Sequence, residues 1–237
     1  MKTHEIDFFG TRVVLFDDGD TTQIVLDAIK KMNDRTGEEI QHLCSLGERG
    51  GARFFDIGAH VGLYAISVAK RGAYVTAVEP NPRSAELLRR NIEENGVAHR
   101  VTVVEKALWS RSGQRIALHM PEGNDGASSA MVRYPVARIV GVETISLRDL
   151  LRDVPLSVFV AAKIDVEGAE FRALPATPSK VLGRIDYLAI EYHPLDIDTG
   201  AGFAAVAALD GYLRANIPVV RANDLYKHFD YVPEEDV

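Results

Sequence analysis

The feature that most constrains this chain is an alternation of short β-branched runs with longer helix-period segments between Phe54 and Ile190. Phe54-Phe55-Asp56-Ile57 reads as a buried strand, and Gly62 to Arg71 as a helix with Leu63, Ile66 and Ala69 on one face. Tyr74 to Val78 is a second strand, closed by Glu79-Pro80-Asn81-Pro82, and Arg83 to Glu94 a helix stopped by Asn95-Gly96. Val101 to Val104, Val158 to Ile164 and Tyr187 to Ile190 add three more strands. Strand, helix, strand in this order demands right-handed crossovers, hence an α/β fold with a doubly wound, mostly parallel sheet. At 237 residues the chain has room for one generous domain.

Three regions stand outside that rhythm. Residues 1–50 read as an extension, with a hairpin over Glu5 to Phe16 and a polar helical stretch from about Thr21 to Leu46; residues 51–237 form the main globular unit. Within residues 112–146, Gln114 to His119 and Val142 to Ser146 are extra strands flanking a small-residue loop, Glu122 to Ala130. After Pro218, a run through Val220 and another near Tyr226 to Val232 could pair as a hairpin.

Composition narrows the function. Apolar residues at 46% and charged residues at 26% are globular values and exclude disordered or coiled-coil classes. With 27 lysines and arginines against 34 acids, the net charge of −7 repels a polyanion, so no nucleic-acid partner is expected. The lone Cys44 forbids an intramolecular disulfide and any Cys-rich metal site, which suits a reducing compartment; it reads as inert packing. Met1 to Phe16 carries His4, Glu5, Asp7 and Arg12 and so lacks the apolar run of a signal peptide. No stretch reaches the ~18 apolar residues of a membrane helix. The expectation is a soluble cytoplasmic protein acting on a small molecule, with no membrane partner and its oligomeric state unspecified.

The sharpest local signal is Asp56-Ile57-Gly58-Ala59-His60-Val61-Gly62, between the first strand and its helix. Gly58 permits a tight turn and lets backbone approach a ligand, while Gly62 lets the helix start close to the strand. N–H groups at that helix start favour an anion, and Asp56 favours a cation or donor. A ligand with both an ammonium and a carboxylate, such as the methionine part of S-adenosylmethionine, satisfies both. Glu79, 21 residues after Gly58, sits at the tip of the second strand, where a carboxylate can accept from both ribose hydroxyls. A plain strand–helix turn explains the glycines alone but not the four residues together. A dinucleotide fold expects G-x-G-x-x-G, and His60 occupies its middle glycine.

Four runs carry a family resemblance: Phe55 through Gly62, then Val78-Glu79-Pro80-Asn81, then Val104-Glu105-Lys106-Ala107-Leu108, then Lys163-Ile164-Asp165-Val166-Glu167-Gly168-Ala169-Glu170. Together they resemble the FkbM family of S-adenosylmethionine-dependent methyltransferases, over roughly Glu38 to His193. The resemblance implies a class I methyltransferase (Rossmann-like) fold with seven strands, the last reversed, and O-methylation of small-molecule hydroxyls, often on sugars or polyketides. The family usually carries asparagine where this chain has His60; an imidazole can still donate a hydrogen bond. By position in such a fold, Pro80 and Asn81 join Glu79 beside the cofactor. Lys106, Ala107 and Leu108 flank the adenine, with Ala107 offering backbone and Trp109 or Leu108 a covering face.

Asp165, Glu167 and Glu170 place three carboxylates in six residues at a strand's carboxyl end, the edge where open α/β sheets bind ligands. Acids there are also favoured by the helix dipole, and Asp165 could simply cap a helix. The functional reading sets Asp165 by the transferable methyl, with His193 or Glu191 from the neighbouring strand as partner or general base. A divalent cation shared by Asp165, Glu191 and His193 has credible ligand types but no local spacing behind it, so no metal site is expected. The loop Glu122 to Ala130 could close over the cleft as a lid or be plain surface. Arg133 and Arg138 nearby could meet an acidic substrate or simply be solvated. Rival readings are a dinucleotide-dependent Rossmann oxidoreductase and a cofactor-binding partner protein without activity; a nitrogen acceptor also stays open.

Overall fold

Six strands pair in parallel in the order β11-β10-β9-β3-β4-β5, comprising β3 (Arg53–Ile57), β4 (Tyr74–Val78), β5 (Val101–Val104), β9 (Val160–Ile164), β10 (Tyr187–Ile190) and β11 (Val219–Ala222). The computed structural model describes residues 2–16, 18–31, 41–46, 48–121, 127–132, 137–194 and 200–222. The order reverses at β3, which lies between β4 and β9. Ile57 stands opposite both Val78 and Ile164, Val78 opposite Val104, and Ile164 opposite Ile190. Five strands therefore end level, and the loops that follow them meet on one edge. In an open α/β sheet that crevice is where ligands bind.

The central strands β3, β9 and β10 are buried on both faces, as the interior of a parallel sheet requires. Phe54, Val75, Ala77 and Ala161 point into one apolar cluster with Ile66, Val68 and Leu88 of α2 (Leu63–Lys70) and α3 (Pro82–Glu94). Their chain neighbours Phe55, Ile57, Val160 and Ala162 point into the other, against Leu147, Leu174 and Leu213. Asn81 caps α3 by accepting from Arg83 N at 3.0 Å, and Pro82 supplies a first helical residue needing no partner for its nitrogen.

The N-terminal hairpin forms as its alternation predicts, β1 (Thr3–Phe8) against β2 (Thr11–Phe16). Phe8, Val13 and Leu15 are fully buried in the α2–α3 cluster. Asn91 of α3 and Asn95, its C-cap, accept from the edge amides of Phe16 and Val14 at 2.8 and 3.0 Å, so β2's free edge is answered by side chains. α1 (Asp20–Lys31) and the helical residues 41–46 account for the described part of the expected helical stretch; 32–40 lie outside the described residues. No helix among the described residues is long and apolar enough to cross a membrane.

The insertion forms a three-stranded sheet, β6 (Ala107–Leu108), β8 (Ala137–Ile145) and β7 (Arg115–Pro121), in the order β6-β8-β7. β8 starts five residues before the expected Val142, because backbone pairing with β7 continues past Gly141 to Ala137 opposite Pro121. β9 begins at Val160 rather than Val158, where Asp186 takes the Val160 amide at 2.8 Å. After Pro218 the chain adds β11 parallel to β10. The expected hairpin partner near Tyr226 to Val232, with the reversed seventh strand, falls outside the described residues, as do residues 122–126 of the supposed lid and Arg133.

Candidate active site

The glycine loop is built by its neighbours. Gly58 and Gly62 both have left-handed backbone, φ +83° and +93°. A Cβ on Gly58 would lie 1.7 Å from the Asp165 carbonyl oxygen, and one on Gly62 would meet Leu88 Cδ1 at 2.4 Å. The close approaches that demand glycine are thus to the β9 loop and to α3, rather than to a ligand and to the strand. Gly58 and Ala59 N–H both donate to Val78 O, at 2.9 and 3.1 Å, so β4 holds the loop. His60 takes φ +50°, which turns its N–H onto Glu79 Oε2 at 2.8 Å. Asparagine tolerates that conformation better than most residues, which is a physical reason for the family's usual choice there.

Glu79 lines the crevice, and its other oxygen, Oε1, accepts Asn81 N–H at 2.8 Å. Burial pushes its carboxyl up to about 7, against the pull of those two amides. Asp56 is fully buried beneath the loop and does not line the crevice, a correction to the expectation that it faces a ligand. Its Oδ2 accepts Ala65 N–H at 2.8 Å inside α2, and Oδ1 lies 4.0 Å from Lys163 Nζ. Burial raises its carboxyl to about 6, Lys163 opposing. On either side of the Gly62 N-cap of α2, the Val61 and Leu63 amides make no hydrogen bond among the described residues.

Lys163 is the residue that sequence reasoning passed over. Two positions before Asp165 on β9, it donates to Gly58 O at 3.1 Å and to Asp165 Oδ2 at 3.0 Å. Burial works against its charge, yet the Asp165 and Asp56 carboxylates outweigh it and hold the ammonium. A lysine inside an otherwise apolar strand was the available signal. Asp165 answers in kind: burial raises its carboxyl, but Lys163 and then His193 bring it below the usual range.

Around His193 the charges converge from two loops. Nε2 lies 3.8 Å from Asp165 Oδ1, 3.8 Å from Glu167 Oε1 and 3.6 Å from Glu191 Oε1, while Nδ1 lies 3.6 Å from Glu170 Oε1. These are ion-pair distances, too long for hydrogen bonds. Burial disfavours the imidazolium, but the carboxylates, Glu170 first, raise it to about 9. Burial pushes Glu167 up to about 7, His193 opposing. Atoms of Asp165, Glu167 and His193 all lie within 4.8 Å of one another, so this trio has the donor types and spacing to hold a divalent cation. The trio weighed from sequence had Glu191 in place of Glu167.

A cavity of about 270 Å³ joins these parts, walled by Gly58, His60, Glu79, Ala107, Leu108 and Asp165 among others. Val25 and Ile29 of α1, with Ser128 and Ala130 of the insertion, form the far wall. Pro80 also lines it; Gly62, Asn81 and Lys106 do not. Asn81 is occupied as a helix cap, and Lys106 turns outward to pair with exposed Glu143. Trp109 lies under the Arg172 guanidinium, 6.0 Å from its ring centre, and is absent from the lining. His193 and Glu191 stand behind Asp165 and Glu167 rather than in the lining itself. Cys44 is buried with its thiol pushed up to about 11, far from a nucleophile's range.

A family model described as Methyltransferase FkbM domain matches residues 56–216, from the last two residues of β3 to the end of the helix Gly200–Arg214 and the two residues beyond. A ubiquinone biosynthesis O-methyltransferase of Methylocella silvestris is 42% identical over 57 residues, 23% of this chain and 22% of that protein. The chain thus matches less than a quarter of the length of this curated relative. Among solved structures, precorrin-6Y C5,15-methyltransferase of Geobacter metallireducens superposes on 77% of this chain and 74% of its own, with TM-score 0.40 and 18% identity. A SAM-dependent methyltransferase of Agrobacterium tumefaciens covers 45% of this chain and 33% of its own, with TM-score 0.32 and 14% identity.

Proposed function

The chain belongs to the FkbM methyltransferase domain family, and from that premise we propose that it moves a methyl group from S-adenosylmethionine to a hydroxyl oxygen of a small molecule. The observation that carries the reading is Glu79. Its two oxygens have about four acceptor positions, and backbone amides use two. Glu79 lines the cavity, and its remaining positions suit a pair of ribose hydroxyls.

The rest of the cofactor fits the same wall. Ala107 and Leu108 supply backbone and an apolar face for a purine. The amides of Val61 and Leu63 at the start of α2 suit a carboxylate, as does the nearby His60. Lys163, fixed to Gly58 O, keeps the loop and Asp165 in register. Bound there, S-adenosylmethionine supplies an electrophilic methyl, so the protein needs no nucleophile of its own.

The residues then have three tasks. They align the acceptor oxygen beside Asp165, exclude water, and take up the proton that the oxygen loses. His193, Asp165 and Glu191 surround Glu167 at the place where the proton is taken up. Asp165 is already matched by Lys163, and His193 is protonated near neutral pH, so Glu167, pushed up to about 7, is the carboxylate best tuned to receive a proton. An acid-lined mouth and the net charge of −7 support a neutral small molecule rather than a nucleic acid. Residues 1–50 act as an extension of this unit: Phe8 and Leu15 share its core, and Val25 and Ile29 close its cavity.

Incubation with methyl-labelled S-adenosylmethionine and a panel of polyols, phenols and amines tests the acceptor class. We expect label in a stable ether. Label only on nitrogen, on nucleic acid or nowhere contradicts the reading.

A further inference from the structure

Glu167 and Gly168 are consecutive left-handed residues, φ +51° and +98°. A side chain with a Cβ disfavours that conformation, so the surroundings must impose it on a glutamate. Both ends of the peptide group joining them are held. Its carbonyl accepts from Ser129 Oγ at 2.6 Å, and its N–H donates to Glu170 Oε2 at 2.9 Å. Ser129 and Glu170 are each fully buried.

Neither side chain has freedom left. Ser129 Oγ also accepts from Met131 N and Val132 N, both at 3.0 Å, which commits its one proton and both lone pairs. Its backbone exchanges two hydrogen bonds with His119 of β7, at 2.8 and 3.0 Å. Glu170 Oε1 accepts the His193 amide at 2.5 Å. One connected path therefore runs from the insertion sheet through Ser129, the Glu167–Gly168 peptide and Glu170 to His193.

We propose that Ser129 and Glu170 clamp this peptide from opposite sides and so hold the Glu167 carboxylate against the His193 ring, making the β6–β8 insertion a positioning element of the acceptor site. The inference rests on the reading of that mouth as the acceptor site. Both are positioning residues. Alanine at 129 removes the donor to the carbonyl. Glutamine at 170 has a single acceptor oxygen, so its amide nitrogen must face one of two N–H donors.

The test is nuclear magnetic resonance on the full chain, comparing wild type with Ser129→Ala, Glu170→Gln and Glu167→Gln. In wild type the Gly168 amide should exchange as slowly as core strand amides. In Ser129→Ala and Glu170→Gln it should exchange at least about tenfold faster, the loss of one buried hydrogen bond. The His193 ring signals should move toward their positions in Glu167→Gln, while S-adenosylhomocysteine affinity stays within about threefold because the cofactor wall is untouched. The proposal is overturned if Gly168 exchanges like an exposed turn in wild type, a result that needs no variant to fold. It is equally overturned if the His193 signals stay put in all three variants, or move only in Glu167→Gln. Failure of the wild type to bind S-adenosylhomocysteine would strike the functional reading and leave the clamp to be judged on its own signals.

Discussion

The two ends of the crevice are made differently. At the cofactor end, Glu79 is answered by backbone amides at 2.8 Å, and the loop's own amides close on Val78 O. At the acceptor end, four carboxylates from two loops face the His193 ring across 3.6–3.8 Å, beyond hydrogen-bond reach, although Glu170 also accepts the His193 backbone amide. At the first end backbone amides fix the functional carboxylate itself; at the second, hydrogen bonds fix the loop, and the ionised groups facing the His193 ring are balanced by charge and respond to whatever enters. A group waiting for a proton has to sit in the second kind of place.

The comparison breaks most severely if Gly58 can be replaced. Its φ of +83° and the Asp165 carbonyl 1.7 Å from a would-be Cβ leave alanine no room. Gly58→Ala should lose about 3–5 kcal/mol of stability by denaturant titration, from overpacking and backbone strain together. A near-neutral result would mean that the loop is not rigid. Next, Glu167→Gln should slow methyl transfer by about 10²–10⁴-fold, as removal of a proton-accepting group does, while S-adenosylhomocysteine affinity is retained. Loss of affinity and turnover together would erase the distinction between the ends.

How much of this was legible in the sequence follows the same division. Tyr74–Val78, Val101–Val104 and Tyr187–Ile190 are bounded as read, because each is a short run without charged residues between polar or turn-forming neighbours. Gly58 and Glu79 announce themselves by position relative to adjacent strands. Lys106 follows that rule too, but no local pattern says that it turns outward to Glu143. Asp56 was read as facing a ligand because it ends a strand; its parity on the buried β3 points it under α2 instead. The clamp on Glu167 needed Ser129, 38 residues away, and pairings of that range leave no trace in periodicity.

Smaller effects sharpen the contrast. Glu79→Gln should weaken S-adenosylhomocysteine binding by about 10–100-fold, the worth of charge-assisted hydrogen bonds, with the effect read by calorimetry. The fold itself should lose stability as pH rises from 6.5 to 9. His193 is raised from 6.5 to about 9 on folding, so its contribution is whole below the lower value and drains away by the higher. The loss is on the order of 2 kcal/mol, seen as a falling melting temperature. His193→Ala should flatten that slope, and an unchanged slope would mean that other groups set it. Smallest of all, Lys106→Ala should leave cofactor affinity within about twofold, since an exposed ion pair is worth under ~1 kcal/mol and lies off the cavity wall.

The most direct measurement is a calorimetric titration of the full chain with S-adenosylhomocysteine at pH 6 and pH 8. Glu79 must be ionised to accept two hydroxyl donors, and burial sets its carboxyl near 7. One site should fill at both values, several-fold tighter at pH 8, with Glu79→Gln weak and insensitive to pH. A folded sample that gives no heat of binding, a wild type that binds equally at both pH values, or a Glu79→Gln variant that binds as tightly as wild type would contradict the account.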